Sequence, residues 1–365
     1  MMRIMHLNSE LFFGGGSERI IADLMMKNKE VPYYLCIVND RWSREYIDML
    51  NQDDILLCNR KEGTRNPIVN LNTIYKTCKF IKKNKIDIIH CHDRFSLKFS
   101  YLLKRIMKVK VVFTIHDTNI YNDTLNKYPV DMYIAISKTV YNVVNQYIPK
   151  EKIRLVYNGV DLEKFSSSRE LREKNREVLN IACVARIMPE KKGQDILIEA
   201  LNILKQKYVY DKFKCFFAGF ATEPKYINEL NELIIGYNLE ENVEFLGNVE
   251  NIENLYKDVD IFVLPSRYEG FGLVVVEALA AGCAVVVSKL EGPLEIVKEN
   301  EQYGLYFEKE NHQELAQKLY RLVNDRECRQ RYESSNETLE YLNREYSLEN
   351  MIKRYNEVYR KLCTN

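Results

Sequence analysis

Glu269-Gly270-Phe271-Gly272-Leu273-Val274-Val275-Val276-Glu277 is the stretch from which the fold is read. Before it stands an apolar run, Ile261-Phe262-Val263-Leu264, closed by Pro265-Ser266, which predicts a buried strand ending in a turn. After it the apolar pattern continues to Ala281 and stops at Gly282, a helix with a glycine past its last turn. A second buried strand, Ala284-Val285-Val286-Val287, follows. The unit is strand, loop, helix, strand, with the loop at the carboxyl end of the first strand, where open α/β sheets bind ligands. Gly270 and Gly272 let a ligand come close to the backbone, and the helix start offers unpaired N–H groups to an anion.

Glu277 lies in a helix so apolar that its carboxylate is expected to be buried, and a buried carboxylate needs a hydrogen-bonding partner. That partner is either a neighbouring protein group or the hydroxyls of a ligand. Two glutamates at this spacing, with Gly-Phe-Gly-Leu after the first, resemble the signature of the large retaining glycosyltransferase family called group 1 or family 4. The resemblance implies that Glu277 binds the ribose of a sugar nucleotide and that Glu269 contacts the transferred sugar. It implies also that the loop Gly270, Phe271, Gly272, Leu273 holds the diphosphate.

Other stations of that family follow in order. Strand Arg3–Asn8 runs into Gly14-Gly15-Gly16-Ser17-Glu18-Arg19 and then a helix carrying Ile20, Ile21, Leu24 and Met25. The loop has neither the G-x-G-x-x-G spacing of a dinucleotide fingerprint nor the Gly-Lys-Ser/Thr of a P-loop. It resembles the family's Gly-Gly-x-Glu-Arg loop, which places Gly15 and Gly16 against the donor diphosphate. Further strands, Tyr34–Val38, Ile86–His90 and Lys110–Ile115, alternate with helical segments and imply a parallel sheet. Histidines follow at two strand ends, in His90-Cys91-His92-Asp93 and in Ile115-His116-Asp117. A strand-end histidine is commonly a structural hydrogen-bonder. The resemblance makes His116 a catalytic residue beside the transferred sugar and puts His92 on the acceptor side. Spacing supplies no third ligand for zinc, and no metal is expected.

Downstream, Leu179–Ala185 restarts the strand pattern, and Arg186 and Lys192 stand between it and the helix Gln194–Lys205. Cations there can meet a departing diphosphate, although exposed loop charge is the plainer reading. The motif resembles the family's Arg-x-x-x-x-Lys-Gly, with a departure: two lysines precede Gly193, and Lys192 is favoured over Lys191 by adjacency to the glycine. Gly219 and Asn248, each after a strand, match loops lining the nucleotide base, and Gly292 resembles a loop glycine near the donor. Asp258-Val259-Asp260 has the form of a metal-binding D-x-D but precedes a buried strand and reads as chance. Ser137, after the run Tyr133-Ile134-Ala135-Ile136, reads as a helix cap.

Length, composition and charge bound the rest. A chain of 365 residues holds two domains. The resemblance gives their form: an α/β GT-B fold of two facing, doubly wound Rossmann-like domains with a cleft between them. The expected division is 1–165 on the acceptor side, linker 166–177, a nucleotide-sugar domain 178–340, and helices 341–365 packing back on the first domain. No run of 18 apolar residues and no secretory signal is read. The nine scattered cysteines fit reduced thiols of a cytoplasmic protein. Residues 1–160 carry 25 Lys and Arg against 16 Asp and Glu, and the remainder 28 against 36. A basic first half fits either solvated helix faces or peripheral contact with an anionic membrane, and no nucleic-acid motif appears.

The expected function is metal-independent, retaining transfer of a hexose from a nucleotide-diphosphate sugar, UDP-sugar rather than GDP-sugar, to a glycan or polyprenyl-linked acceptor. Bacterial surface polysaccharide assembly is the expected setting, on the inner face of the cell membrane. No cofactor is expected. A nucleotide-sugar epimerase on the same fold and a non-catalytic subunit are the alternatives.

Overall fold

In the computed structural model every strand pairing among the described residues is parallel, and these strands form two sheets. The structure describes residues 2–11, 16–117, 127–167, 176–333 and 335–364. The first sheet holds β1 (Ile4–Asn8), β2 (Tyr33–Asn39), β3 (Ile55–Arg60), β4 (Ile88–Cys91), β5 (Lys110–Ile115), β6 (Met132–Ala135) and β7 (Ile153–Leu155), in the order 3-2-1-4-5-6-7. The second holds β8 (Leu179–Val184), β9 (Phe213–Ala218), β10 (Val243–Gly247), β11 (Ile261–Leu264), β12 (Ala284–Ser288) and β13 (Leu305–Phe307), in the order 10-9-8-11-12-13. Counted within its own sheet, the second is 3-2-1-4-5-6, the doubly wound order. The order reverses between β1 and β4 in the first sheet and between β8 and β11 in the second, and ligands bind at the carboxyl ends beside such reversals.

Parallel strands covered on both faces read as unbroken apolar runs, and β11 and β12 do so. Ile261 to Leu264 and Ala284 to Val287 are all at most 1% exposed. Each such large apolar side chain contributes roughly 1.5–3 kcal/mol on burial. The intervening helix, Leu273–Ala280, is followed by Gly282 at φ +86°, a left-handed turn into β12 that a side chain would oppose.

The chain forms two compact units, residues 1–159 with 348–365, and residues 160–347. The first unit ends at Gly159, so the short helix Leu162–Ser166 belongs to the second. Most of the expected linker, 168–175, lies outside the described residues. The two C-terminal helices part company. Asn336–Tyr346 packs in the second unit, where the Tyr341 hydroxyl donates to the Glu295 and Ile296 carbonyls at 3.1 and 3.0 Å. Leu348–Thr364 belongs to the first unit, with Tyr355 and Tyr359 fully buried against its sheet. Among the described residues no helix is long and apolar enough to cross a membrane. All nine cysteines are free thiols.

Candidate active site

In the second unit, the loop after β11 and the turn after β8 meet. The short helix Pro189–Lys192 ends at Gly193, whose φ is +67°. A Cβ at Gly193 would lie 2.0 Å from the Pro265 carbonyl oxygen, so only glycine lets the turn press against the loop. The Arg267 and Tyr268 amides donate to the Lys191 carbonyl at 2.8 and 3.2 Å. The outcome is that Lys192 Nζ donates to Glu269 Oε2 at 2.7 Å. Lys191 is exposed.

Arg267, which the sequence reading does not single out, clamps this loop. Its guanidinium grips Asp195 at 2.7 and 2.8 Å, Glu310 at 2.9 and 3.0 Å, and the Pro189 carbonyl at 2.7 Å. Hydrogen bonding to Asp195 raises its pKa further above the ordinary arginine range, so the clamp is a fixed charge. The only sequence signal for it is its place two residues before Glu269.

The loop closes with Gly272 at φ +98°, capping the helix Leu273–Ala280 and leaving the first helical amides at the loop. A Cβ at Gly292 would meet the Gly270 carbonyl oxygen at 2.8 Å, so a second glycine fits the loop to the following helix. The Phe271 ring is buried, edge-on to Tyr346 at 5.4 Å, which leaves the backbone of Phe271 as what the loop offers a ligand. Glu277 is 2% exposed, and the Tyr256 hydroxyl donates to its Oε2 at 3.4 Å. The buried carboxylate thus has a protein partner whose place in the sequence gives no hint of the contact.

Arg186 is exposed after β8, and its side chain makes no ion pair among the described residues. Its carbonyl accepts from Gln194 Nε2 at 2.9 Å, which anchors the turn. Gly219, at φ +145°, donates its amide to the Gly247 carbonyl at 2.7 Å, and a Cβ there would collide with the Ala185 carbonyl. The structure therefore brings Gly219 beside Arg186, while Asn248 is exposed beyond β10. Asp258 and Asp260 stand at the other end of β11. Asp260 accepts the Asn180 amide at 2.8 Å, and Asp258 pairs with Arg176. The D-x-D residues are occupied in joining β8 to β11.

In the first unit, side-chain parity builds a second constellation. Positions two apart on a strand share a face, and paired positions on parallel neighbours do too. His6 pairs with His90 across β1 and β4, His92 lies two beyond His90, and Thr114 and His116 continue the same face from β5. His6 Nδ1 is 2.9 Å from His92 Nε2, and His92 Nδ1 is 3.1 Å from His116 Nε2. His90 is bonded at one nitrogen to Tyr359 Oη and at the other to Thr114 Oγ1, both at 2.7 Å. The helix Leu348–Thr364 therefore holds the cluster from above. Burial lowers all four pKa values, to about 3 for His6 and about 4 for His116, so the imidazoles are neutral near pH 7.

Ligand atoms of His6, His90 and His92 all lie within 4.8 Å of one another, close enough in principle to hold a metal ion. The third member, His6, is 84 residues from His90 and so is invisible to spacing. The hydroxyls on both nitrogens of His90 fit a hydrogen-bonded network better than a metal cage. Asp93 caps the helix Arg94–Ile106, accepting from the Ser96 amide at 2.8 Å, and its other oxygen accepts the Ser9 amide at 2.7 Å, tying the loop after β1 to β4. Gly16 opens the helix Gly16–Lys27, and Gly15 lies outside the described residues.

The profile of the family described as glycosyl transferases group 1 matches residues 164–339, and that of glycosyltransferase family 4 matches residues 50–164. An uncharacterized glycosyltransferase of Methanocaldococcus jannaschii is 30% identical over 271 residues, 66% of this chain and 67% of that one. The Escherichia coli UDP-Gal:alpha-D-GlcNAc-diphosphoundecaprenol alpha-1,3-galactosyltransferase is 26% identical, covering 71% of this chain and 72% of its own. A glycosyltransferase structure from Rickettsia africae superposes with a TM-score of 0.84 at 24% identity, covering 100% of this chain and 99% of its own. Anabaena HepE, solved with UDP-glucose, superposes with 0.81 at 21% identity, covering 99% and 100%. These likenesses establish the two-domain α/β GT-B fold.

Proposed function

This chain belongs to the group 1, family 4 glycosyltransferases, and on that premise we propose that it moves a hexose, with retention, from a UDP-sugar to a hydroxyl of a polyprenyl-linked or glycan acceptor. The observation that carries the reading is the 2.7 Å contact between Lys192 and Glu269 in the loop at the carboxyl end of β11. Breaking a glycosyl–phosphate bond builds negative charge on the nucleoside diphosphate, and fixed cations and helix-start amides stabilise it without reorganisation. Lys192, the exposed Arg186 and the amides after Gly272 are the groups that meet that charge, and no divalent metal is needed for it. Glu269 receives a hydroxyl of the transferred sugar, Glu277 the ribose hydroxyls, and His116 lies on the side of the transferred sugar.

The UDP preference is supported by HepE, solved with UDP-glucose, and by the E. coli relative, whose name specifies UDP-Gal. That relative's name also specifies a diphosphoundecaprenol-linked acceptor. A lipid-linked acceptor suits the first unit of this chain, which carries 29 basic against 18 acidic side chains. Its helix Pro67–Asn84 exposes Ile68, Leu71 and Tyr75 along one face, and Arg94–Ile106 exposes Leu102 and Ile106. Between those helices lies a mostly apolar pocket of about 300 Å³, lined by Phe95, Phe99, Ile74 and Leu102, with Lys98 at its rim. We assign this face to peripheral contact with the anionic inner leaflet, and the protein to the cytoplasm.

The test is to measure thermal stabilisation by UDP-, GDP- and ADP-sugars, then product formation with a polyprenyl-diphosphate acceptor. Stabilisation by a UDP-sugar and anomeric retention in the product are expected. Turnover of the sugar nucleotide without any acceptor would instead identify an epimerase.

A further inference from the structure

The histidines of the first unit form a directed chain. His6, His92 and His116 are joined by two hydrogen bonds, Nδ1 of His6 to Nε2 of His92 and Nδ1 of His92 to Nε2 of His116. A neutral imidazole carries one proton, so each ring donates at one nitrogen and accepts at the other. Only two arrangements satisfy both bonds. In the first, His116 donates from Nε2, His92 donates from Nε2, and His6 is left with its N–H at Nε2. In the second, His6 donates from Nδ1, His92 donates from Nδ1, and His116 is left with its N–H at Nδ1.

The ends of the chain differ, and that difference selects between the two. His6 Nε2 is buried and has no hydrogen-bond partner. His6 itself is fully buried and stacked on Tyr33 at a centroid distance of 5.1 Å, so its Nε2 does not face water. At the other end His116 is partly exposed, and its Nδ1 has no partner among the described residues. A buried N–H without a partner is costlier and rarer than a buried lone pair without one. The first arrangement buries an orphaned N–H at His6, whereas the second buries only a lone pair there. His90 does not alter the choice. Its ring lies 4.2 Å from that of His92, yet both its nitrogens are taken by Thr114 and Tyr359.

We infer that the buried end at His6 polarises the chain outward, so that His116 presents an Nδ1–H donor, and no lone pair, at its exposed side. Every ring is then in the tautomer that free histidine in water disfavours. His116 recognises an oxygen of the substrate by donating to it and does not act as a general base, while His92 and His6 are positioning residues that fix its tautomer. The ligand half of this inference rests on the glycosyltransferase reading; the tautomer does not.

The test uses the full chain labelled with [¹⁵N]histidine, whose two-bond ¹H–¹⁵N correlations distinguish protonated from unprotonated ring nitrogens at neutral pH. Single His6→Phe, His92→Phe and His116→Asn variants assign the signals. Protonated Nδ1 and unprotonated Nε2 are expected for His6, His92 and His116, and in His92→Phe the His116 signals should move to averaged values. Protonated Nε2 at His116, an imidazolium, or loss of all the cluster's signals with one equivalent of Zn²⁺ would overturn the chain. Kinetics address the ligand half separately. Asn carries an amide donor near the position of Nδ1, whereas Asp offers only acceptors. His116→Asp should lose roughly 10²-fold in transfer rate, as when one preorganised donor is removed, and His116→Asn should recover part of that loss. Equal rates in the two variants would overturn the donor role while leaving the spectra to judge the tautomer.

Discussion

Lys192 Nζ lies 2.7 Å from Glu269 Oε2, so the cation assigned to the diphosphate and the carboxylate assigned to the sugar neutralise each other before either meets a ligand. Their side chains are 20% and 17% exposed, which makes the pair neither a freely screened surface bridge nor a dry one. Removing one partner leaves the other without its counter-charge, and the two residues should behave as one unit. Lys192→Ala should lower kcat by about 10²-fold. Lys191→Ala, which removes only an exposed charge, should change it little. The double variant Lys192→Ala/Glu269→Gln should fall well short of the product of the single losses, because members of one network do not add. A steady-state cycle measures this. Losses that multiply would mean that the contact has no part in turnover.

Glu277 gives a different expectation. A carboxylate on the ribose is remote from the bond that breaks and holds ground and transition states alike. Glu277→Gln should raise the donor KM with kcat nearly kept, while Glu269→Gln should lower kcat more than it raises KM. Tyr256→Phe removes the hydroxyl that donates to Glu277 and should shift donor KM in the same assay without reaching the effect of Glu277→Gln. The same kinetic pattern in both glutamate variants would refute this division.

Local chemistry makes much of this legible in the sequence. The strands β11 and β12 and the helix between them announce themselves because burial on both faces forbids polar residues, and Ser137, which reads as a cap, does accept the Val140 amide at 3.1 Å. The candidate site is legible as far as it is local, in the loop and helix that carry Glu269, Gly272 and Glu277. What escapes depends on partners far along the chain. Arg267 finds Asp195 and Glu310 through tertiary packing, and Tyr256 reaches Glu277 from another helix. His6 joins His92 because β1 lies beside β4, and strand order has no signature in spacing. Parity along β1, β4 and β5 flags His6 only once that order is known. The edge strands β3 and β7 also escape, since edges carry mixed burial and weaker patterns.

Gly193 tests whether the approach of turn and loop builds the site. Gly63, at φ +71° with no atom within 4 Å of where a Cβ would stand, is its control. Alanine at either position meets the left-handed backbone cost of about 1–2 kcal/mol. Only at Gly193 does the added carbon also collide with the Pro265 carbonyl. Gly63→Ala should lower Tm by a few degrees and keep full activity, and Gly193→Ala should lower Tm further and abolish most transfer. Equal Tm and equal activity in the two variants would remove the close approach from the account.

The neutral histidines set a pH dependence. Their folded pKa values lie below the ordinary 6.5, at about 3 for His6 and about 4 for His116, because burial disfavours the charged form. Between those values and 6.5 the unfolded chain binds protons that the folded chain refuses, so stability rises with pH across that window. It is fully present above pH 6.5 and is lost as pH falls toward the folded values, by on the order of 1 kcal/mol per histidine per pH unit. Thermal denaturation should therefore show Tm level from pH 8 to 7 and falling from 6.5 to 5, before most carboxylates titrate. A Tm that holds or rises down to pH 5 would mean that the imidazoles are not held neutral.

As the glycosyl–phosphate bond breaks, negative charge builds on the leaving diphosphate, and a cation must meet it. In a metal-dependent transferase carboxylates hold a divalent ion against it. The D-x-D pair here is spent elsewhere, Asp260 on the Asn180 amide at 2.8 Å and Asp258 on Arg176, at the end of β11 remote from the loop. At the loop end the groups present are Lys192, the amides after Gly272, and Arg186, exposed and without an ion pair among the described residues. With no ion pair among the described residues, the Arg186 side chain has no such partner to displace, and it should contribute even where Lys192 must first leave Glu269. Arg186→Ala should lose on the order of 10²-fold in kcat with the fold intact, and Arg186→Lys should recover part of it, since a point charge replaces the charge but not the planar fork. Transfer should persist in EDTA. Activity abolished by EDTA and restored by Mg²⁺ or Mn²⁺, with Arg186→Ala near wild type, would assign the leaving-group charge to a metal instead.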